Sequence, residues 1–139
     1  MFQLHPQLQA DCVILGHFPL CELLLMNDAR YPWFILVPRR PGVREIYELT
    51  ASDLHALMEE SVLLSRHLVS VYRPDKMNIA ALGNKVDQLH LHHIARYRRD
   101  PAWPAPVWGH GSAVPYSPED IEAVRAKVVS GLGRDLLAT

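Results

Sequence analysis

The chain has 139 residues, 49% of them apolar, and a net charge of −1. That length and apolar content fit one domain with a real core, and the balanced charge supplies no basic field for a nucleic-acid polymer. Mean hydropathy is −0.02, and no apolar run approaches the roughly 18 residues that span a bilayer, so no membrane partner is expected. The start, Met1 to Pro6, lacks the charged first region and apolar core of a secretion signal. Cys12 and Cys21 match no zinc or redox spacing. Two thiols without an export signal read as reduced and buried, in a cytoplasmic protein.

Residues 12–15 and 20–26 read as two strands, with Gly16, His17 and Pro19 punctuating between them. Asn27 to Pro32 is turn chemistry. Trp33 to Val37 is a third strand, nearly all apolar and therefore expected to be central, and Pro38 and Pro41-Gly42 end it. Thr50 with Asp53 three places on resembles a capping box. A long helix is predicted after it, with Leu54, Leu57, Met58, Leu64, Leu68, Val71 and Tyr72 on one face and Pro74 as its stop. Residues 77–82 make a fourth strand, Gly83-Asn84-Lys85 a tight loop, and 88–97 a fifth strand. From Asp100 to Pro115 the composition shifts to Pro, Trp and Gly, an ordered loop carrying Trp103 and Trp108. Ser117 caps a last helix, with Pro118 in its first turn and the stripe Ile121, Val124, Val128 and Leu132. Strands mostly adjacent in sequence argue α+β: an antiparallel five-stranded sheet with one long helix packed on it and a C-terminal helix.

The run Gln88-Leu89-His90-Leu91-His92-His93-Ile94 stands out. On a strand, residues i and i+2 share a face. Gln88, His90 and His92 are then expected on one side, about 6.6 Å apart, and Leu89, Leu91 and His93 on the other. Two imidazoles and an amide in a row can converge on one small anionic group. Neutral imidazole is a good nucleophile near pH 7 and can attack phosphorus to form a phosphoramidate. For that, one ring nitrogen must be free and the other held by an acceptor. A second histidine on the same face can give a proton or hydrogen bond to the leaving oxygen, and a Gly-containing loop can present backbone N–H groups to phosphate.

The stretch Asn78 to Arg96, with this histidine run at its end, resembles the signature of the histidine triad (HIT) family of nucleotide hydrolases and transferases. The upstream stretch Leu24 to Pro38 is similar to the family's strand pair around the nucleotide, and together the resemblance covers roughly residues 10–97. It implies a HIT-like α+β meander as a single domain over 1–139, with the Pro/Trp loop and C-terminal helix in 98–139. It further implies a homodimer whose sheets join into one. By the same resemblance His90 is the nucleophile at the α-phosphorus and His92 contacts the phosphate and helps the leaving group. Gln88 stands where the first histidine of the triad belongs, and it is expected to orient the row. Gly83, Asn84 and Lys85 correspond to the phosphate-side loop, and Asn27 to the position facing the ribose. His93 occupies an apolar position of the pattern, and Lys85 one where many members carry a small hydroxyl residue.

The implied activity is cleavage at the α-phosphate of a nucleotide conjugate, a dinucleoside polyphosphate or nucleoside phosphoramidate, through a nucleotidyl-histidine intermediate. The scheme needs no metal or other cofactor. Two other readings stay open from the residues: a nucleotide-binding module with little turnover, motivated by Gln88, and a zinc site on the paired histidines. His93 reads as structural or interfacial, and the basic run Arg96, Arg98 and Arg99 as a solvated face.

Overall fold

A computed structural model describes residues 1–138; the last residue of the expected domain, Thr139, lies outside the described residues. A short helix α1 (Pro6–Asp11) leads into strands β1 (Cys12–His17), β2 (Cys21–Met26) and β3 (Trp33–Pro38). The long helix α2 (Ala51–Tyr72) follows, then β4 (Lys76–Ala80), β5 (Leu91–Arg96) and α3 (Pro118–Leu132). The sheet is five-stranded in the order β1-β2-β3-β5-β4, with every neighbouring pair antiparallel. This is the α+β arrangement expected from the sequence, with β3 central and buried on both faces.

Alternation along the strands builds two apolar layers. On one face Leu23, Leu25, Phe34, Leu36 and Leu91 pack against Leu57, Leu64 and Leu68 of α2 and Val124 and Val128 of α3. On the other, Leu24, Trp33, Ile35, Val37 and Ile94 are covered by Leu4 and Leu8 of the N-terminal segment and by Val86, Ala102 and Val107 from loops. Regular helices thus close one face, while irregular chain closes the other. Ser117 caps α3 as read, accepting from Asp120 N; Thr50 caps α2 by accepting from Asp53 N, but the expected capping box is not completed, because the Asp53 carboxylate pairs with Arg40 instead.

Three boundaries differ from expectation. Helix α1 has no counterpart in the sequence reading. Pro6 sits in its first turn and the His5 ring caps Gln7 N, a cap for which histidine is an unusual residue. Strand β4 ends at Ala80 rather than residue 82, and β5 starts at Leu91 rather than residue 88. The chain between them therefore forms a long loop. The backbone there has other partners: Leu89 N donates to Val43 O, in the connection after β3, and the side chain of Gln88 bonds the N-terminal segment. Of the expected α2 stripe, Leu54 and Met58 are exposed, because α2 covers the sheet through Leu57, Leu64 and Leu68.

Candidate functional site

Antiparallel pairing puts directly opposed residues on one face. Ile35 opposes His92 and Trp33 opposes Ile94, so His92, Ile94 and Arg96 lie on the face covered by loops. His93 opposes Phe34 and turns toward the helices. Gln88 and His90 precede β5, so a regular strand row does not carry all three. His90 nonetheless meets His92, with ring centroids 4.8 Å apart.

Each ring is held in a defined protonation pattern. His90 Nδ1 lies 2.7 Å from the main-chain carbonyl of Gln88. A carbonyl only accepts, so this nitrogen carries the proton and Nε2 is left with its lone pair. His92 is opposite: Trp33 Nε1 donates to its Nδ1 at 3.0 Å, and its Nε2 donates to Leu82 O at 3.0 Å. Indole N–H only donates, which places the His92 proton on Nε2. Burial pushes the pKa of His90 below the ordinary histidine range and that of His92 to about 4. Both rings are neutral at pH 7. His92 can therefore offer a hydrogen bond from Nε2 rather than a whole proton.

One cavity opens on His90 and a second lies behind the tryptophans that contact His92. One, of about 420 Å³, is lined by Gly83, Asn84, Gln88 and His90 with Arg44 and Asp87 at its rim. Gly83 lies directly over the nucleophile candidate: a Cβ there would fall 2.5 Å from Val86 O and 3.1 Å from His90 Cε1. Only glycine lets the loop come this close. Lys85 is exposed and does not line the cavity. The other cavity, of about 390 Å³, is lined by Asn27, Asp28, Arg30, Trp33 and Trp108 together with Ala10 and Asp11. The Asn27 side-chain oxygen accepts from Tyr116 N at 2.8 Å, and Asp28 pairs with Arg30. Trp33 and Trp108 line this second cavity, meet in a T-shaped contact, and both lie against His92.

The structure thus brings Gly83, Asn84, Gln88, His90 and His92 together, sets Asn27 in the adjoining cavity, and leaves Lys85 at the surface. The side chain of Gln88 bonds the backbone of Gln3 and His5 and neither histidine ring. Trp103 and Trp108 separate in role: Trp108 meets His92, whereas Trp103 lies over the guanidinium of Arg96. Arg96, read as part of a solvated run, has a side chain only 2% exposed. It makes a two-pronged pair with Asp100 and bonds Asn78 and Ala105 O. Asp100 also accepts from the backbone of Tyr97, Ala102 and Trp103. Burial raises the Asp100 pKa, but these bonds and Arg96 outweigh it and hold the carboxyl below its usual range. The signal for this was present: Arg96 shares the His92 side of β5, and an acid follows four residues later. Trp33 was read only as a strand residue. Its partner was foreshadowed by the rule that a buried indole N–H finds an acceptor.

Among the described residues no three His, Cys, Asp or Glu side chains gather to hold a metal ion. No helix among them is long and apolar enough to cross a membrane. The HIT domain family matches residues 7–99 of the chain. Among solved structures, a histidine triad protein from Marinobacter aquaeolei VT8 is 54% identical, with 98% of this chain and 96% of that chain covered and a TM-score of 0.92. A HIT protein from Sinorhizobium meliloti 1021 is 43% identical over 94% of this chain and 96% of that chain, with a TM-score of 0.91. A histidine triad protein from Bradyrhizobium japonicum is 40% identical over 97% of this chain and 98% of that chain, with a TM-score of 0.91. No match is found among curated proteins.

Proposed function

This chain belongs to the HIT family, whose members are nucleotide hydrolases and transferases, and on that premise we propose that it cleaves nucleotide conjugates at the α-phosphate. His90 is the nucleophile. The observation that carries this is the Nδ1–H bond to Gln88 O at 2.7 Å, which leaves Nε2 unprotonated at the lining of a cavity. Attack of Nε2 on the α-phosphorus forms the N–P bond and breaks the bond to the leaving group. The resulting nucleotidyl-histidine passes its nucleotide to water or another acceptor.

His92 assists from Nε2, whose N–H now meets Leu82 O; a phosphate oxygen replacing that carbonyl receives the same hydrogen bond. Gly83 and Asn84 line the phosphate side, with Lys85 a solvated charge beside them, and Asn27 faces the ribose in the second cavity. Gln88 orients His90 through its main-chain carbonyl. The leaving group is of the dinucleoside polyphosphate or nucleoside phosphoramidate type. The scheme uses no metal.

The test is the intact mass of an acid-sensitive adduct after brief mixing with adenosine phosphoramidate or diadenosine polyphosphates. Wild type is expected to gain a nucleotidyl mass and release product. His90→Ala is expected to lose the adduct, with turnover down on the order of 10⁴-fold or more, while still binding AMP. Binding without adduct or product in wild type would replace the enzyme by a nucleotide-binding module.

The chain is further proposed to work as a homodimer joined along β4. Of the two sheet edges, that of β1 is bridged by the tail at Leu137, while β4 forms the other edge. Beside β4 lie the exposed apolar residues Ile79 and, on α2, Met58 and Val62. Sedimentation equilibrium is expected to give a dimer for wild type and a monomer for Ile79→Glu; a wild-type monomer at high concentration would exclude the arrangement.

A further inference from the structure

Gln88 stands where the triad's first histidine belongs, and its amide makes a contact that imidazole cannot copy. Oε1 accepts from His5 N at 2.8 Å, and Nε2 donates to Gln3 O at 2.9 Å. These two backbone groups flank Leu4, and they are the pair that a strand residue offers to a ladder partner. A primary amide presents donor and acceptor side by side and matches that pair as another peptide would. Imidazole also has one donor and one acceptor, but on ring positions that point apart, so it meets one of the two at a time.

What the clamp holds is a segment whose far end walls the Asn27 cavity. Leu4 and Leu8 are buried on the site face of the sheet. His5 caps α1 through its ring. At the far end Asp11 O accepts from Asn27 N at 3.0 Å, and Ala10 and Asp11 line the Asn27 cavity. Residues 3–11 therefore run from the Gln88 side chain to the Asn27 cavity, in one apolar cluster with Trp33 and Trp108 through Leu4 and Leu8.

We infer that Gln88 is a positioning residue that determines substrate binding: its amide clamps residues 3–5 and so sets the N-terminal segment whose Ala10 and Asp11 wall the cavity where the nucleoside of a nucleoside monophosphate lies beside Asn27, its phosphate at His90. This rests on the nucleotide reading above. The orienting of His90 belongs to the residue-88 main chain and survives substitution of the side chain.

AMP affinity, steady-state kinetics with adenosine phosphoramidate and amide hydrogen exchange, compared across wild type, Gln88→His, Gln88→Glu and Gln88→Ala, test it. Gln88→Glu keeps size and the acceptor for His5 N, and replaces the donor to Gln3 O with a charged oxygen. The histidine and alanine variants are expected to exchange the His5 amide faster, and Gln88→Glu to keep it slow, while the β3 amides stay protected in all three, which shows the fold intact. The Kd for AMP is expected to rise roughly tenfold in the histidine and alanine variants, with KM rising more than kcat falls. Gln88→His with slow His5 exchange and wild-type AMP affinity overturns the inference, as does a loss confined to kcat. Failure of the nucleotide reading shows separately, as wild-type protein that neither binds AMP nor turns over substrate.

Discussion

His92 and His93 are neighbours in the chain and lie on opposite faces of one sheet. Both have both ring nitrogens engaged, and burial pushes both to a pKa of about 4. Their partners differ in kind. His93 donates from Nδ1 to Leu91 O of its own strand and accepts at Nε2 from Ser61 of α2. Both partners ride on regular elements with cooperative backbone bonds. His92 accepts from Trp33 on the neighbouring strand, but its one N–H goes to Leu82 O, in a loop beside Gly83. A loop carbonyl can give way to a phosphate oxygen at little cost; a helix serine under a packed core cannot. Burial and tautomer alone do not separate a structural histidine from a reactive one. On the proposed mechanism a replaceable partner does.

Among the described residues the most deeply buried ion pair, Arg96–Asp100, holds the loops on the loop-covered face, and breaking it is expected to have the largest effect on stability. Asp100→Asn leaves Arg96 buried without its carboxylate, next to Tyr31 and Trp103. A loss of about 3–5 kcal/mol in chemical denaturation is expected, with turnover falling as the Trp108 segment loosens. Unchanged stability would mean that the cover of this face is held by its apolar residues alone.

Acid is expected to attack both faces through their histidines. The folded pKa of His92 and His93 is about 4, against the ordinary 6.5. Between these values the unfolded chain binds more protons than the folded one, so stability rises with pH across the window. It is full above about 6.5 and is lost as pH falls through about 4, at no more than about 1.4 kcal/mol per pH unit for each histidine. Denaturation at several pH values checks this: His93→Gln is expected to flatten the slope, and an identical slope would remove His93 from the account.

A smaller effect is expected from Trp33→Phe, which keeps an aromatic ring but loses part of a buried indole together with the N–H that fixes the His92 tautomer. Stability is expected to drop by about 1 kcal/mol and turnover by about tenfold. Nitrogen chemical shifts of the His92 ring report the tautomer directly. A ring still protonated at Nε2 alone, with full activity, would show that Leu82 O is sufficient to hold it.

Apolar alternation and helical spacing are local properties, and they placed five strands and the two long helices within a few residues of their positions. The histidine run was equally legible, because closely spaced imidazoles are uncommon and their chemistry is intrinsic to the residue. The face assignment of His92 and His93 followed from the two-residue period of a strand, without any tertiary information. What periodicity could not reach was decided by contacts between distant parts of the chain. Gln88 bonds groups 83 and 85 residues away, and Trp33 bonds His92 across 59. No local pattern encodes such pairings; they exist only after β3 and β5 are side by side and the N-terminal segment is laid over the sheet. The same holds for Arg96, whose sequence neighbours Arg98 and Arg99 are exposed. Its charge could be buried only because the fold brought Asp100, Asn78 and the Ala105 carbonyl to meet it. Residue types thus determined the chemistry available to this protein, and tertiary contacts decided which nitrogen carries each proton and which side chains stand around it.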